Sequence, residues 1–331
     1  DGPLRILEEG EASVPAEHRI ISRYRRKAAT LKAPLLIDAG FTSVCACHTD
    51  PAKFKQIANM RNEGKQSANQ NSEAPIAGMY ESLGSKKMLV MLVDFSDMPG
   101  APIDNNATFR GRLDSTNSFF NDSSYGLFSF SEMTFTPALR MPQTKEWYKD
   151  DGSGNERYRE LLTDAKAAAK EAGFDPDNYE FDIVAFDTIY TSGWAGRGSL
   201  GAGNAWLNGK EYVQHVGVIV HEIGHNLGLN HASTWNPESD SQPDDANGTH
   251  DEYGNLFDVM GDTYSYGEAD SAAKLHFSAS RKNALDWLPD NHVRTVNDSY
   301  TGRIYAMDQT LIAGRDYAIR IPANKELGGK S

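Results

Sequence analysis

The stretch His221-Glu-Ile-Gly-His-Asn-Leu-Gly-Leu-Asn-His231 carries the most specific pattern in this sequence. His221 and His225 lie four residues apart, so on a helix they share one face, a turn apart. Gly228 can adopt the left-handed conformation that ends a helix, and the chain can then bring His231 back to the same point. Three neutral imidazoles with an open fourth position form a catalytic zinc site rather than a closed structural one.

Two further residues belong to this pattern. Glu222 follows the first histidine, where its carboxylate can act as the general base for a zinc-bound water. Asp258-Val-Met-Gly-Asp262 lies about thirty residues after the third histidine, at the place where this class of site has its Met-turn. Met260 is therefore predicted to form an apolar floor under the metal ligands and not to be a ligand itself.

The extended motif together with Met260 resembles that of the metzincin metallopeptidases. The sequence His-Asn-Leu-Gly-Leu-Asn-His, followed later by Val-Met-Gly, is similar to the gametolysin-like and immune inhibitor A-like peptidases. Residues 88–97, 119–130, 276–277 and 285–288 agree with this resemblance, which covers about residues 85–320. It implies an α+β fold, with a mixed twisted sheet and a zinc-binding helix, and a secreted zinc-dependent endopeptidase that acts on proteins or peptides.

The resemblance also directs attention to nearby tyrosines. Some metzincins carry a tyrosine two residues after the Met-turn methionine, where it supports the oxyanion. Here that position is Asp262. Tyr264 and Tyr266 follow closely and are the candidates for this role.

Composition excludes several classes of protein. The chain has 331 residues, 39% of them hydrophobic, with a mean hydropathy of -0.56. No apolar run is long enough to cross a bilayer. The formal charge of -13 and the pI near 5.2 argue against nucleic-acid binding, which requires a basic surface. They are compatible with an extracellular protein, and the acidic residues between Asp240 and Asp262 are hard oxygen ligands that could hold calcium.

The first 75 residues are predicted to be a pro-segment that ends in an exposed linker. The linker, residues 61–75, is polar and lacks apolar periodicity. Cys45 and Cys47 are the only cysteines of the chain, and a thiolate is a good zinc ligand. One of them could cap the zinc in a latent zymogen. An inert thiol pair and a bridge to another chain are the alternatives.

Residues 76–290 are predicted to form the catalytic domain. The strands expected from apolar runs and the helices expected from amphipathic segments are, in chain order, strand 88–93, helix 105–120, strand 127–130, helix 156–172 ended by Gly173, strand 182–186, strand 204–208, helix 213–227 and helix 272–288. The glycine-rich segment 191–203 is interpreted as a loop and 204–208 as an edge strand, to which an extended peptide could add. Residues 235–262 are interpreted as a loop.

Residues 291–331 are predicted to begin a β-rich C-terminal module, with short strands at 293–296, 303–307 and 317–321. Two other functions remain open at the level of sequence. One is a zinc hydrolase of a non-peptide amide or ester, and the other is a zinc-containing binding protein that has lost catalysis. The presence of Glu222 argues against the second.

Overall fold

The apolar run that begins at Met88 becomes the central strand of the sheet. The computed structural model describes residues 82–100, 107–190, 194–209, 215–236, 248–261 and 276–321. Strand β1, Gly84–Asp94, pairs in parallel with β2, Phe128–Arg140, on one side and with β3, Phe181–Phe186, on the other. Residues from Met88 to Val93 are almost wholly inaccessible, as expected for a strand with both faces covered.

The sheet is mixed, as predicted, but its edge differs from the prediction. Two short strands follow β3, namely β4, Gly196–Gly198, and β5, Asn204–Asn208. The strand order is β2-β1-β3-β5-β4, and only β4 is antiparallel to its neighbour. The prediction that residues 204–208 form the edge is wrong, because the glycine-rich segment contributes a further strand outside them.

Helices cover both faces of this sheet. Their bounds are α1, Ala107–Ser123, α2, Lys145–Lys149, α3, Tyr158–Glu171, α4, Val216–Asn226, and α5, Ala279–Ala284. Alternate side chains of a strand point to opposite faces, and Met88, Val90 and Leu92 accordingly pack with α1 and α4 in one apolar core. Leu89, Met91 and Val93 pack with α3 in a second core. The helix α4 therefore lies on the face of the central strand that carries Met88, Val90 and Leu92.

Strand β2 continues past the predicted end at Phe130. The prediction ends there because Ser131, Glu132 and Pro137 interrupt the apolar pattern. The register between β1 and β2 shifts between Val90 and Leu92, and the Leu92 amide donates to the Thr136 hydroxyl at 3.1 Å. A proline is tolerated on an edge strand or at a bulge because no ladder hydrogen bond depends on its nitrogen. Alternating hydrophobicity could not indicate this continuation past Phe130.

The region after the sheet differs more from the predictions. Residues 234–236 and 249–251, predicted as loop, form the antiparallel strands β6 and β7. Of the helix predicted over 272–288, the described residues 276–288 form only the short helix α5. It ends before Asp286, whose φ is 61°. The last two strands are β8, Val293–Thr295, and β9, Ala318–Arg320, which pair in parallel.

No strand forms at 303–307, because side chains take up the backbone groups that a ladder would use. The carbonyl of Met307 accepts from the Tyr125 hydroxyl at 2.6 Å and from the Lys282 ammonium at 3.1 Å. The Tyr305 amide donates to the Asp316 carbonyl at 2.9 Å. This segment is thus fastened to the body of the protein by single contacts and not by strand pairing.

Several predicted features lie outside the described residues. These are the whole pro-segment and its linker with Cys45 and Cys47, the candidate tyrosines Tyr264 and Tyr266, and part of the proposed calcium segment, residues 240–247 and 262. None of the helices that the structure describes is long and apolar enough to cross a membrane.

Candidate active site

The three predicted ligands converge at the end of α4. His221 and His225 lie on consecutive turns of the helix with ring centroids 4.8 Å apart, and His231 lies 5.4 and 4.9 Å from them. One nitrogen from each ring can be chosen so that all three atoms lie within 4.8 Å of one another. Within the described residues, this is the group of histidine, cysteine and acidic side chains that could hold a metal ion.

The turn that returns His231 begins at Gly228, as the sequence predicted. Gly228 has φ 88°, a left-handed conformation that suits glycine. Its amide donates to the His225 carbonyl at 2.8 Å, and the Leu229 amide donates to the Gly224 carbonyl at 3.0 Å. These two bonds form a Schellman motif, which closes the helix and reverses the chain within three residues.

Hydrogen bonds orient each imidazole from behind. Nδ1 of His221 lies 3.0 Å from the Val259 carbonyl, and Nδ1 of His225 lies 2.7 Å from the Leu229 carbonyl. Nδ1 of His231 lies 2.6 Å from a carboxylate oxygen of Glu252. All three partners are acceptors, so each Nδ1 carries the hydrogen and each Nε2 is left as the metal-binding atom.

Burial keeps the three imidazoles neutral. It lowers the pKa of His221 to about 3, and the neighbouring His231 adds to this effect. Burial also lowers the pKa of His225 well below its usual value and lowers that of His231. In addition, Nε2 of His221 is buried with no hydrogen-bond partner among the described residues. Neutral imidazoles with nitrogens aimed at one point fit a bound metal ion.

Glu222 lies between the helix and the last strand of the sheet. Its side chain is buried, and a Cβ on Gly196 would lie 2.5 Å from its Oε1 atom. A Cβ on Gly198 would collide with its carbonyl oxygen. Burial raises the pKa of the Glu222 carboxyl, while Arg197 and the Gly198 amide, which donates to it, act in the opposite direction. The glycines of β4 therefore allow the strand to pass directly over the predicted base.

The predicted Met-turn lies beneath the helix. Met260 is wholly buried, and its sulfur occupies the position that a Cβ of Gly224 would need. The preceding residue, Val259, supplies the carbonyl that holds His221. The Met260 carbonyl accepts from the Ala232 amide at 2.7 Å, directly after the third histidine. One short segment therefore supports the helix and fixes the returning chain.

Asp258 organises this segment. Its carboxylate accepts from the amides of Met260 and Ser278 at 2.9 and 2.8 Å and from Arg281 Nε at 3.0 Å. Arg281 in turn donates to the His231 carbonyl at 2.8 Å. The sequence predicts Asp258 at the start of the Met-turn and as a possible calcium ligand, but both of its carboxylate oxygens bind groups of the protein.

Two residues beside His231 have contacts that the sequence does not predict, and Glu252 is expected from the sequence only as one of the possible calcium ligands. Glu252 holds Nδ1 of His231, and the hydroxyl of Tyr253 lies 3.1 Å from Nε2 of the same ring. Both follow β7, whose pairing with β6 brings them to the third histidine. No spacing rule connects them to the motif, so sequence alone gave no means of finding them.

A buried histidine triad with a buried glutamate beside it, on a helix packed against a mixed sheet, defines the class of metal-dependent hydrolases. The family model of gametolysin peptidase M11 matches residues 106–278, slightly more than half of the chain. The chain therefore belongs to this metallopeptidase family, which confirms the resemblance found in the sequence and implies a metal and protein substrates. No curated protein matches the chain.

Proposed function

We propose that this protein is a zinc-dependent endopeptidase in which His221, His225 and His231 hold the metal. The observation that carries the proposal is the orientation of the three imidazoles. Each Nδ1 faces a hydrogen-bond acceptor, which leaves each Nε2 as the nitrogen that can bind the metal. Three neutral imidazoles suit zinc and leave its fourth position open. When bound, zinc would acidify a water molecule and polarise the scissile carbonyl.

Glu222 is proposed as the general base. It takes a proton from the attacking water and passes it to the leaving amine. Burial raises the pKa of its carboxyl, which makes it a stronger base than an exposed glutamate. The Gly198 amide and the close contact with Gly196 hold the carboxylate in one place.

Peptides are proposed as substrates because the sheet ends beside the site. Strand β4 is the last strand of the sheet and lies directly over Glu222. An extended peptide that adds to this edge would run past the triad with its backbone hydrogen-bonded to β4. Esters and non-peptide amides offer no such ladder.

The test compares cleavage of an unfolded protein, casein, by the zinc-loaded chain with and without a chelator, after a mercurial or limited proteolysis within residues 61–75 has relieved latency. Glu222→Gln should keep zinc and lose at least about 10²-fold in turnover, because a general base contributes about 10²–10⁴. Glu160→Gln makes the same chemical change at an exposed position of α3 and should be fully active. Full activity of Glu222→Gln would contradict the assignment of Glu222 as the general base. Cleavage of esters but not of casein would identify a different hydrolase. A zinc-loaded protein that cleaves neither casein nor esters would be a binding protein.

We also propose that the protein is secreted as a zymogen, with residues 1–75 as its pro-segment and Cys45 or Cys47 on the fourth position of the zinc. The chemistry of a thiolate toward an open zinc position supports this. Both cysteines precede the family match, which begins at residue 106. Substituting them by serine, singly and together, should activate the full chain. If these variants stay silent and mercurials also fail to activate the wild type, a cysteine cap is excluded.

A further inference from the structure

The segment that follows β7 contacts both ring nitrogens of the third histidine. Glu252 accepts from Nδ1 at 2.6 Å, and the Tyr253 hydroxyl lies 3.1 Å from Nε2. The Tyr253 and His231 rings are 4.1 Å apart and inclined by 35°. We propose that Tyr253 is a further catalytic residue, whose phenol donates a hydrogen bond to the carbonyl oxygen of the scissile peptide. This inference rests on the proposed function.

The direction of the two hydrogen bonds places the phenol beside the metal-binding nitrogen of His231. The Glu252 carboxylate can only accept, so Nδ1 of His231 donates and Nε2 accepts from the Tyr253 hydroxyl. Nε2 is also the atom that a metal ion would bind. With zinc–ligand bonds of about 2.0–2.1 Å, two ligands of one tetrahedral zinc lie about 3.3 Å apart. The 3.1 Å separation of Oη and Nε2 is of this size, so the hydroxyl lies within reach of an oxygen bound beside Nε2.

The tyrosine also faces the rest of the triad. Its ring is nearly parallel to that of His221, with centroids 6.3 Å apart and planes inclined by 25°. The turn that carries it is tight, since the Gly254 amide bonds the Asp251 carbonyl at 3.3 Å and the Tyr253 amide lies 3.3 Å from the Asp251 carboxylate. The hydroxyl is thus held at the triad by a hairpin.

This position suits a donor to the developing oxyanion. As water adds to the carbonyl carbon, the carbonyl π electrons move to oxygen, which gains negative charge. A metal ion would take up the lone pair of Nε2, and the Tyr253 hydroxyl would then be left to donate to an oxygen held at the metal. The phenol keeps its proton and strengthens its hydrogen bond as charge develops, which is how a preorganised donor lowers a barrier.

The test is Tyr253→Phe, which removes one oxygen and keeps the ring against His231. Casein-derived peptide cleavage should lose about 10²-fold in kcat with KM nearly unchanged, the effect of losing one oxyanion donor. Affinity for a phosphinic pseudopeptide built on the cleaved sequence should fall by a similar factor, because its tetrahedral oxygens mimic the charged state. Zinc affinity, measured by chelator competition, and Tm should match those of the wild type.

The control is Tyr317→Phe, which removes a hydroxyl that bonds the Ile312 amide and the Thr310 carbonyl. It should lower Tm and leave kcat unchanged. Wild-type kcat and phosphinate affinity in Tyr253→Phe would overturn the inference, as would a loss of activity that excess zinc restores, which would make Tyr253 only a support for His231. A wild type that cleaves no peptide after the same activating treatment would instead overturn the proposed function.

Discussion

At the scale of single residues, the site depends on the groups that hold the histidines as much as on the histidines themselves. His231 is the ligand that the helix does not carry, and Glu252 fixes the orientation of its ring through a bond of 2.6 Å. The backbone carbonyls that hold His221 and His225 cannot be removed by substitution. Glu252 is therefore the one orienting group of the three that mutation can test directly.

We predict that Glu252→Ala weakens zinc binding by about 10–100-fold, the usual cost of removing a partner of a metal-binding histidine. Without the carboxylate, the ring is free to turn and its Nδ1–H can donate elsewhere. The measurement is competition with a chelator at neutral pH. Glu160→Ala, at an exposed position of α3, is the control. Equal zinc affinity in both variants would show that Glu252 does not orient the ligand.

The sequence was sufficient to place His221, Glu222, His225 and His231, because a spacing of four defines a helix face and Gly228 marks where the helix must end. It could not place Glu252 or Tyr253. Their position depends on the pairing of Thr234–Asn236 with Thr249–Asp251, and two three-residue strands leave no periodic pattern. Contacts made across such a hairpin are set by tertiary structure alone.

At the scale of elements, the helix α4 and the Met-turn share one volume. Gly224 has no side chain where the Met260 sulfur lies. Met260→Ala should destabilise the protein by about 2–5 kcal/mol through the cavity it leaves. Gly224→Ala should cost about 1–3 kcal/mol through overpacking, partly offset by the roughly 1 kcal/mol helix preference of alanine.

The double variant should lose less stability than the sum of the two, since the new methyl group occupies part of the cavity. Urea denaturation of the four proteins of this cycle measures the coupling. Gly224→Ala combined with Leu161→Ala, in the core on the other face of the sheet, is the control and should be additive. Additivity in the first cycle would mean that α4 and the Met-turn do not compete for space.

Elements with strong apolar patterns were predicted closely, among them β1, β5 and α3, whose end before Gly173 was also predicted. The strand β4 was not, because glycines carry no hydrophobic pattern and resemble a loop. The glycines of β4 are explained by Glu222 beneath the strand, because a Cβ at Gly196 or Gly198 would collide with it. The strand predicted at 303–307 is wrong for the opposite reason. The alternation is present in the sequence, but the Met307 carbonyl accepts hydrogen bonds from Tyr125 and Lys282 and not from a neighbouring strand.

At the scale of the molecule, a buried lysine joins α5 to the C-terminal segment. Lys282 is wholly buried, with its ammonium 4.5 Å from the centre of the Tyr125 ring and 3.1 Å from the Met307 carbonyl. Burial lowers its pKa from 10.5 to about 8. The native protein therefore gives up this proton at a lower pH than the unfolded chain does.

We predict that this lysine makes the protein more stable as pH rises from about 8 to about 10.5. In that window the unfolded state binds more protons, so the slope is positive. Below it, the cost of burying the charge is present in full, on the order of 3 kcal/mol. The free energy of unfolding of Lys282→Met minus that of the wild type should shrink by this amount between pH 7 and pH 10.5. A difference that does not vary with pH contradicts the prediction.

The indole of Trp287 donates to the Ser82 carbonyl at 2.6 Å, and the Ser82 hydroxyl donates to the Leu285 carbonyl at 2.8 Å. These bonds join residues 203 and 205 positions apart. A ribosome that adds about 5–20 residues per second needs about 10–40 s to cover that distance. For that time Ser82, two residues before β1, lacks both bonds, and the core that contains Met88 lacks Trp287. The apolar strand β1 is thus among the first parts of the sheet to be synthesised, and the core on one of its faces is completed only when synthesis has reached Trp287.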